Sequence, residues 1–217
     1  MKAKILDPME EEFQYTLNNL WRARRLVDLS KEIKTPEETR SDLLGAAVVF
    51  LHATLEEFLR GVALREWFKL EDENLKSALK SYARLSSRNI KVSLIDLVDK
   101  RKESVESIIQ QEVESFLYQD ISFNSLDEIE KFLELIKISV EDLRKEIGRE
   151  HFDNIQSLIR KRHSVAHQAD CSQLDFDQTL VWGKSLLVFL TRLSGSLGLN
   201  VEYSEELKKI SFKGEEA

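Results

Sequence analysis

Arg162 and His167 are the residues of this chain whose types and spacing suggest chemistry most directly. They lie in Leu158-Ile159-Arg160-Lys161-Arg162-His163-Ser164-Val165-Ala166-His167-Gln168-Ala169-Asp170, which places two of the four histidines within five residues of three consecutive cations. An imidazole moves protons near neutral pH. A guanidinium holds a phosphate through two parallel hydrogen bonds and stabilises negative charge as it builds there. The two together suit cleavage of an RNA phosphodiester, with Arg160 and Lys161 adding positive charge beside the site.

The spacing sets a geometric condition. On a straight helix two residues five positions apart point about 140° away from each other. Arg162 and His167 would then serve one substrate only if the helix were distorted or ended inside the motif, or if a second copy of the chain completed the site. His163 and His167, four apart, share a face. With Asp170 they stand at i, i+4 and i+7, a set that could hold a divalent metal, although three adjacent cations repel such an ion. The blandest alternative is structural: histidines capping carbonyls at a helix end, and a solvated basic turn favoured by the helix dipole.

Composition points to helices as the elements that position these groups. The 217 residues are 42% hydrophobic and 33% charged, with only 7 Gly and 2 Pro, too few for the tight turns of a sandwich or barrel. A single cysteine, Cys171, excludes an intramolecular disulfide and fits a reducing compartment. Residues 1–7 lack the apolar core of a signal peptide, and the run at residues 43–51 is too short to span a bilayer, so a cytoplasmic protein with no membrane contact is expected. The formal charge of −7 argues against nonspecific coating of nucleic acid, but not against a local basic site.

Apolar spacing near three and four predicts a helix over residues 10–29, with Phe13, Leu17, Leu20, Trp21 and Leu26 on it. Thr35-Pro36-Glu37-Glu38 opens a second, running to about Lys69, whose centre (Ala46, Ala47, Val49, Phe50, Ala53, Thr54) is small and apolar enough for the middle of a bundle. Leu75, Leu79 and Tyr82 suggest a short helix, and residues 86–89 a mobile loop. Helices follow over 94–118, 126–136 (capped by Ser125 with Glu128), 140–147 (capped by Ser139, ended by Gly148), 150–168 and 176–197. Residues 211–217 form a polar tail. Trp21, Trp67 and Trp182 fall in apolar stripes as core or interface anchors. No segment alternates as a strand would. The expectation is an all-α bundle forming a single domain over 1–217, with its core at about 35–197 and residues 70–125 as an insertion of additional helices before the motif helix.

Arg162-His163-Ser164-Val165-Ala166-His167 resembles the signature of the HEPN superfamily: an arginine, a polar residue, and a histidine a few positions on. Gln168-Ala169-Asp170, and the run from Ser125 to Leu133, resemble its RiboL-PSP-like branch. The resemblance implies a HEPN-like helical bundle acting as a metal-independent endoribonuclease that needs no cofactor. It implies a homodimer whose two motifs face one cleft, and a toxin of a toxin–antitoxin or antiviral defence system, held by an antitoxin protein. In that scheme the 2′-hydroxyl of the RNA attacks the adjacent phosphorus. His167 transfers the proton, Arg162 stabilises the phosphorane oxygens, and His163 orients Arg162 or contacts phosphate. Some members also carry a glutamate and a basic residue four positions on, on an earlier long helix. Glu56 and Arg60 match that pattern, with arginine where lysine is frequent; the plain reading of the pair is an intrahelical ion pair. His52, one turn before Glu56, is expected as a satisfied polar residue of the bundle, and His151 has no expected role. The alternatives to an enzyme are a noncatalytic HEPN-like module that binds RNA, nucleotide or protein, and a helical scaffold.

Overall fold

Apolar residues recurring every three to four positions, with few helix breakers between them, leave helices as the way to bury this chain's hydrophobic surface. The computed structural model describes residues 8–32, 34, 36–67, 69, 70, 80, 104–171 and 173–198, and among them it is all-α, with seven helices and no strand. The helices are α1 (Pro8–Ser30), α2 (Glu37–Trp67), α3 (Val105–Asp120), α4 (Leu126–Leu135), α5 (Val140–Ile147), α6 (Arg149–Gln168) and α7 (Phe176–Ser196). The helix expected around residues 75–82, the loop at 86–89, the first turns of the 94–118 segment and the 211–217 tail lie outside the described residues. No described helix is long and apolar enough to cross a membrane.

The helix starts follow the capping chemistry in the sequence. Ser125 Oγ accepts the Glu128 amide at 3.2 Å, while Glu128 Oε2 accepts the Asn124 amide at 2.8 Å, so the capping box closes one residue earlier than its usual partner. Ser139 Oγ accepts the Asp142 amide at 3.2 Å, and Ser104 Oγ the Ser107 amide at 3.1 Å. Asp175 accepts the Gln178 amide at 3.0 Å and starts α7. Gly148 separates α5 from α6 at φ 89°, a left-handed value that a side chain would strain.

The chain divides into two units, Met1–Phe58 with Asn124–Ala217, and Leu59–Phe123. In the first, α7 is the central element: α6, α1 and α5 all pack on it, and α4 packs on α5 and α6. Phe152 of α6 meets Phe189 of α7 edge to face at 5.8 Å, and Phe13 of α1 meets Phe58 of α2 at 6.3 Å. Ser185 of α7 joins two residues of α6, accepting from Asn154 Nδ2 and bonding His151 Nδ1, each at 3.0 Å. That gives His151 a packing role.

The structure narrows one expectation about burial and corrects another. Of the two places expected for Trp21, core or interface, the core is excluded: it is 40% exposed, with the Arg25 guanidinium 4.7 Å from its ring centre, because α1 turns Phe13, Leu17, Leu20, Ala23 and Val27 inward instead. On α2, Val49 and Phe50 are 37% and 39% exposed and Ala53 is exposed too, whereas Ala47 and Thr54 are buried. The six residues expected at the bundle's centre occupy opposite faces of the helix, and the buried one is completed by Leu44, Val48, Leu51 and Leu55.

In the second unit, Arg60 on the last turns of α2 donates from Nε to the Leu117 carbonyl at 3.2 Å and from the guanidinium to the Ile121 carbonyl at 3.0 Å. These carbonyls belong to the end of α3, which carries no basic residue in its last turn, so Arg60 supplies the charge and donors that terminus needs. The Tyr118 ring lies 5.3 Å from the same guanidinium.

Candidate functional site

The motif occupies the last two turns of α6. Phe152, Ile155, Leu158 and Ile159 bury the inner face of this helix, which fixes its rotation and turns the motif side chains outward. Arg160, His163, Ala166 and His167 are exposed, and Lys161, Arg162 and Val165 are half-buried. The helix continues through the motif to Gln168, so it does not end between Arg162 and His167. Helical geometry therefore holds the two about 140° apart within one chain.

His163 does not turn toward Arg162. Its ring lies against that of His167, with centroids 4.5 Å apart and planes tilted by 52°. Arg162 makes no hydrogen bond or ion pair among the described residues, which leaves its fork of donors available to an anion. Lys161 is engaged: its ammonium stands 3.7 Å from the Asp170 carboxylate.

Beyond the motif the chain reverses. Ala169 adopts the left-handed conformation at φ 51° and ψ 27°, and its amide donates to the Ser164 carbonyl. The Asp170 amide reaches the same carbonyl at 3.4 Å. This reversal takes Asp170 off the face shared by His163 and His167. Among the described residues no group of three or more histidine, cysteine or acidic side chains is placed to hold a metal ion, so the i, i+4, i+7 set is not assembled as a metal centre.

The reversed loop sets Cys171 against α2. A Cβ built on Gly45 would stand 2.5 Å from Cys171 Sγ and 3.5 Å from Val165 Cγ1. Glycine inside a helix costs about 1 kcal/mol relative to alanine; here it leaves room for a sulfur atom that would have to shift for any larger residue. Burial pushes the Cys171 thiol above its ordinary pKa, Asp42 and Asp170 push in the same direction, and Lys161 opposes them. Gly45 and Cys171 were not among the functional candidates. The signal was there in an interior helical glycine within an otherwise strong helix, but its partner is more than a hundred residues away in sequence.

Glu56 and Arg60, the other candidate pair, fall in different units. Glu56 is 9% exposed in the first, with its Oε2 3.6 Å from Nδ1 of the fully buried His52. Arg60 caps α3 in the second.

No curated protein and no solved structure matches the chain. A family model does. RiboL-PSP-HEPN matches residues 17–198, a span that runs from the first buried turns of α1 to the end of α7 and contains the whole motif. The chain therefore belongs to the RiboL-PSP-HEPN family of the HEPN superfamily.

Proposed function

We propose that this protein is a metal-independent endoribonuclease of the HEPN type, with Arg162 and His167 as its catalytic residues. One observation carries the reading: a guanidinium with no partner among the described residues and an exposed imidazole, held on the last two turns of a helix whose other face is locked in the core. In the reaction His167 takes the proton of the 2′-hydroxyl as that oxygen bonds to the adjacent phosphorus. The bond from phosphorus to the 5′ oxygen breaks, and an imidazole returns a proton to the departing oxygen. Arg162 holds the non-bridging oxygens as charge develops on them. Arg160 supplies a further cation for the RNA backbone, Lys161 shapes the turn through Asp170, and Glu56 and Arg60 are supporting residues of the scaffold, both carried on α2.

The divergence of Arg162 and His167 favours a site completed by a second copy, whose motif supplies the other half of the acid–base pair. The outer stripe of α2, with Val49 and Phe50 more than a third exposed, runs beside the Gly45 contact with the motif loop and offers that copy an apolar surface. We place the protein in the cytoplasm as a single HEPN-like domain with residues 70–125 inserted, serving as a toxin or defence nuclease restrained by an antitoxin. Incubating purified protein with RNA in excess chelator tests the reading. Cleavage that His167→Ala abolishes supports it; no cleavage, or equal cleavage by the variant, removes it.

The same divergence also favours a second reading, a noncatalytic module that grips RNA or a protein partner through the exposed basic turn. Binding that needs Arg162 without any turnover would select it.

A further inference from the structure

We propose that Cys171, seated on Gly45, is a positioning lock that fixes the last turn of α6 against α2 and so holds His167 in its working place, a role that rests on the ribonuclease reading of the motif. Three features converge on it. Ala169 turns the chain back in the left-handed conformation, and the amides of Ala169 and Asp170 both close on the Ser164 carbonyl inside the motif. Asp170 reaches back to Lys161, at 3.7 Å, pinning the reversed loop to its own helix. Cys171 then carries the loop to α2, where its sulfur fills the space a side chain at position 45 would take, and Val165, between Arg162 and His167, borders the same spot.

The contact is a matter of size. Alanine at position 45 would put its methyl 2.5 Å from the sulfur, so the loop, the sulfur or the helix must shift. If the cysteine is shortened to alanine as well, the nearest atoms are Val165 Cγ1 at 3.5 Å and the Cβ of residue 171 at 3.7 Å, both ordinary contacts. Alanine is also the better helix former, so a loss in Gly45→Ala cannot come from α2 itself. Gly45 and Cys171 are positioning residues: neither would touch the RNA.

The test is a double-mutant cycle of wild type, Gly45→Ala, Cys171→Ala and the double variant. It reads RNA cleavage and the hydrogen exchange of the Ala169 and Asp170 amides. Gly45→Ala is expected to lower kcat by about tenfold or more with KM nearly unchanged, because the group that moves is catalytic. It should also speed exchange of the two amides by about tenfold. Cys171→Ala alone removes the sulfur and should lose rate and amide protection in the same direction. In the double variant the methyl introduced at position 45 takes up the space the sulfur leaves and should return both readouts to within about threefold of wild type, a coupling expected only of residues in contact. Gly45→Ala with unchanged rate and exchange, or a double variant no better than Gly45→Ala, overturns the lock. Should Gly45→Ala fail to fold, recovery of folding, rate and exchange in the double variant supports it, and failure of the double variant overturns it. Wild-type protein that cuts no RNA overturns the nuclease reading, and the exchange cycle then decides the lock on its own.

Discussion

His163 and His167 lie ring against ring, 4.5 Å between centroids, on the exposed face of the last two turns of α6. Their spacing of four makes the contact a property of the helix itself. The His163 ring fills one side of the space in which His167 could turn, so it restricts the rotamer of the proposed proton carrier. His163→Ala should lower kcat by about three- to tenfold through lost positioning, while His163→Phe, which keeps a flat ring at the same place, should hold it near wild type. Steady-state cleavage of a short RNA by the two variants checks this. Equal losses would mean that His163 acts through its nitrogens on substrate.

Arg162 is expected to tolerate no replacement. Its value lies in a planar fork that grips two phosphate oxygens at once, which a lysine ammonium cannot reproduce. Arg162→Lys should cost about a hundredfold in kcat, and Arg162→Ala at least as much. Both should retain wild-type unfolding midpoints, because the side chain has no hydrogen bond or ion pair among the described residues to lose. Chelator in excess should leave the wild-type rate unchanged, since every proposed role is filled by a side chain.

Arg60 should show the opposite pattern, a stability effect. Removing its guanidinium leaves the Leu117 and Ile121 carbonyls without their charged donor at the end of α3. Arg60→Ala should destabilise the protein by about 1–3 kcal/mol, read as a lower denaturant midpoint. A midpoint equal to wild type would show that water replaces the guanidinium at no cost.

Cys171 gives a pH dependence with a defined sign. Its thiol is pushed above the ordinary value by burial first, then by Asp42 and Asp170, against the pull of Lys161. A folded-state pKa above the unfolded one means the contribution is fully present below the ordinary thiol range. It is lost as pH rises through the folded value, because the unfolded chain then releases the proton more readily. Wild-type stability should therefore fall more steeply above pH 9 than that of Cys171→Ala. Alkylation of the native thiol should be slower than that of an unfolded one, and Asp170→Asn should speed it. Native alkylation as fast as in denaturant would contradict the account.

Much of this fold could be read from the chain because it is local. Ser125 with Glu128, Ser139 with Asp142, and Gly148 are each recognised within one turn, and the helices they bound begin and end within a residue or two of expectation. The placement of Arg162 and His167 near a helix end was legible for the same reason. The orientation of longer helices was less so. Trp21 fits an apolar stripe on paper, but α1 is rotated to bury Ala23 and Val27, and only its packing on α7 decides that. The contacts that surround the motif were out of reach. Lys161 with Asp170 depends on the chain reversal at Ala169, and Cys171 with Gly45 joins residues from distant parts of the sequence. The spacing of Glu56 and Arg60 suggests an intrahelical pair, but nothing local to it shows that Arg60 donates to carbonyls at the far end of another helix.

The central claim is that His167 and Arg162 drive attack by a 2′-hydroxyl. It is tested most directly by identifying the products from an RNA oligonucleotide and from the same oligonucleotide carrying a single 2′-deoxy residue at the cleaved position, in excess chelator. The account predicts a cyclic phosphate spanning the 2′ and 3′ oxygens and a free 5′ hydroxyl from the first, no cut at that position in the second, and neither product with His167→Ala. Cleavage at the deoxy position, or the same products from His167→Ala, would contradict it.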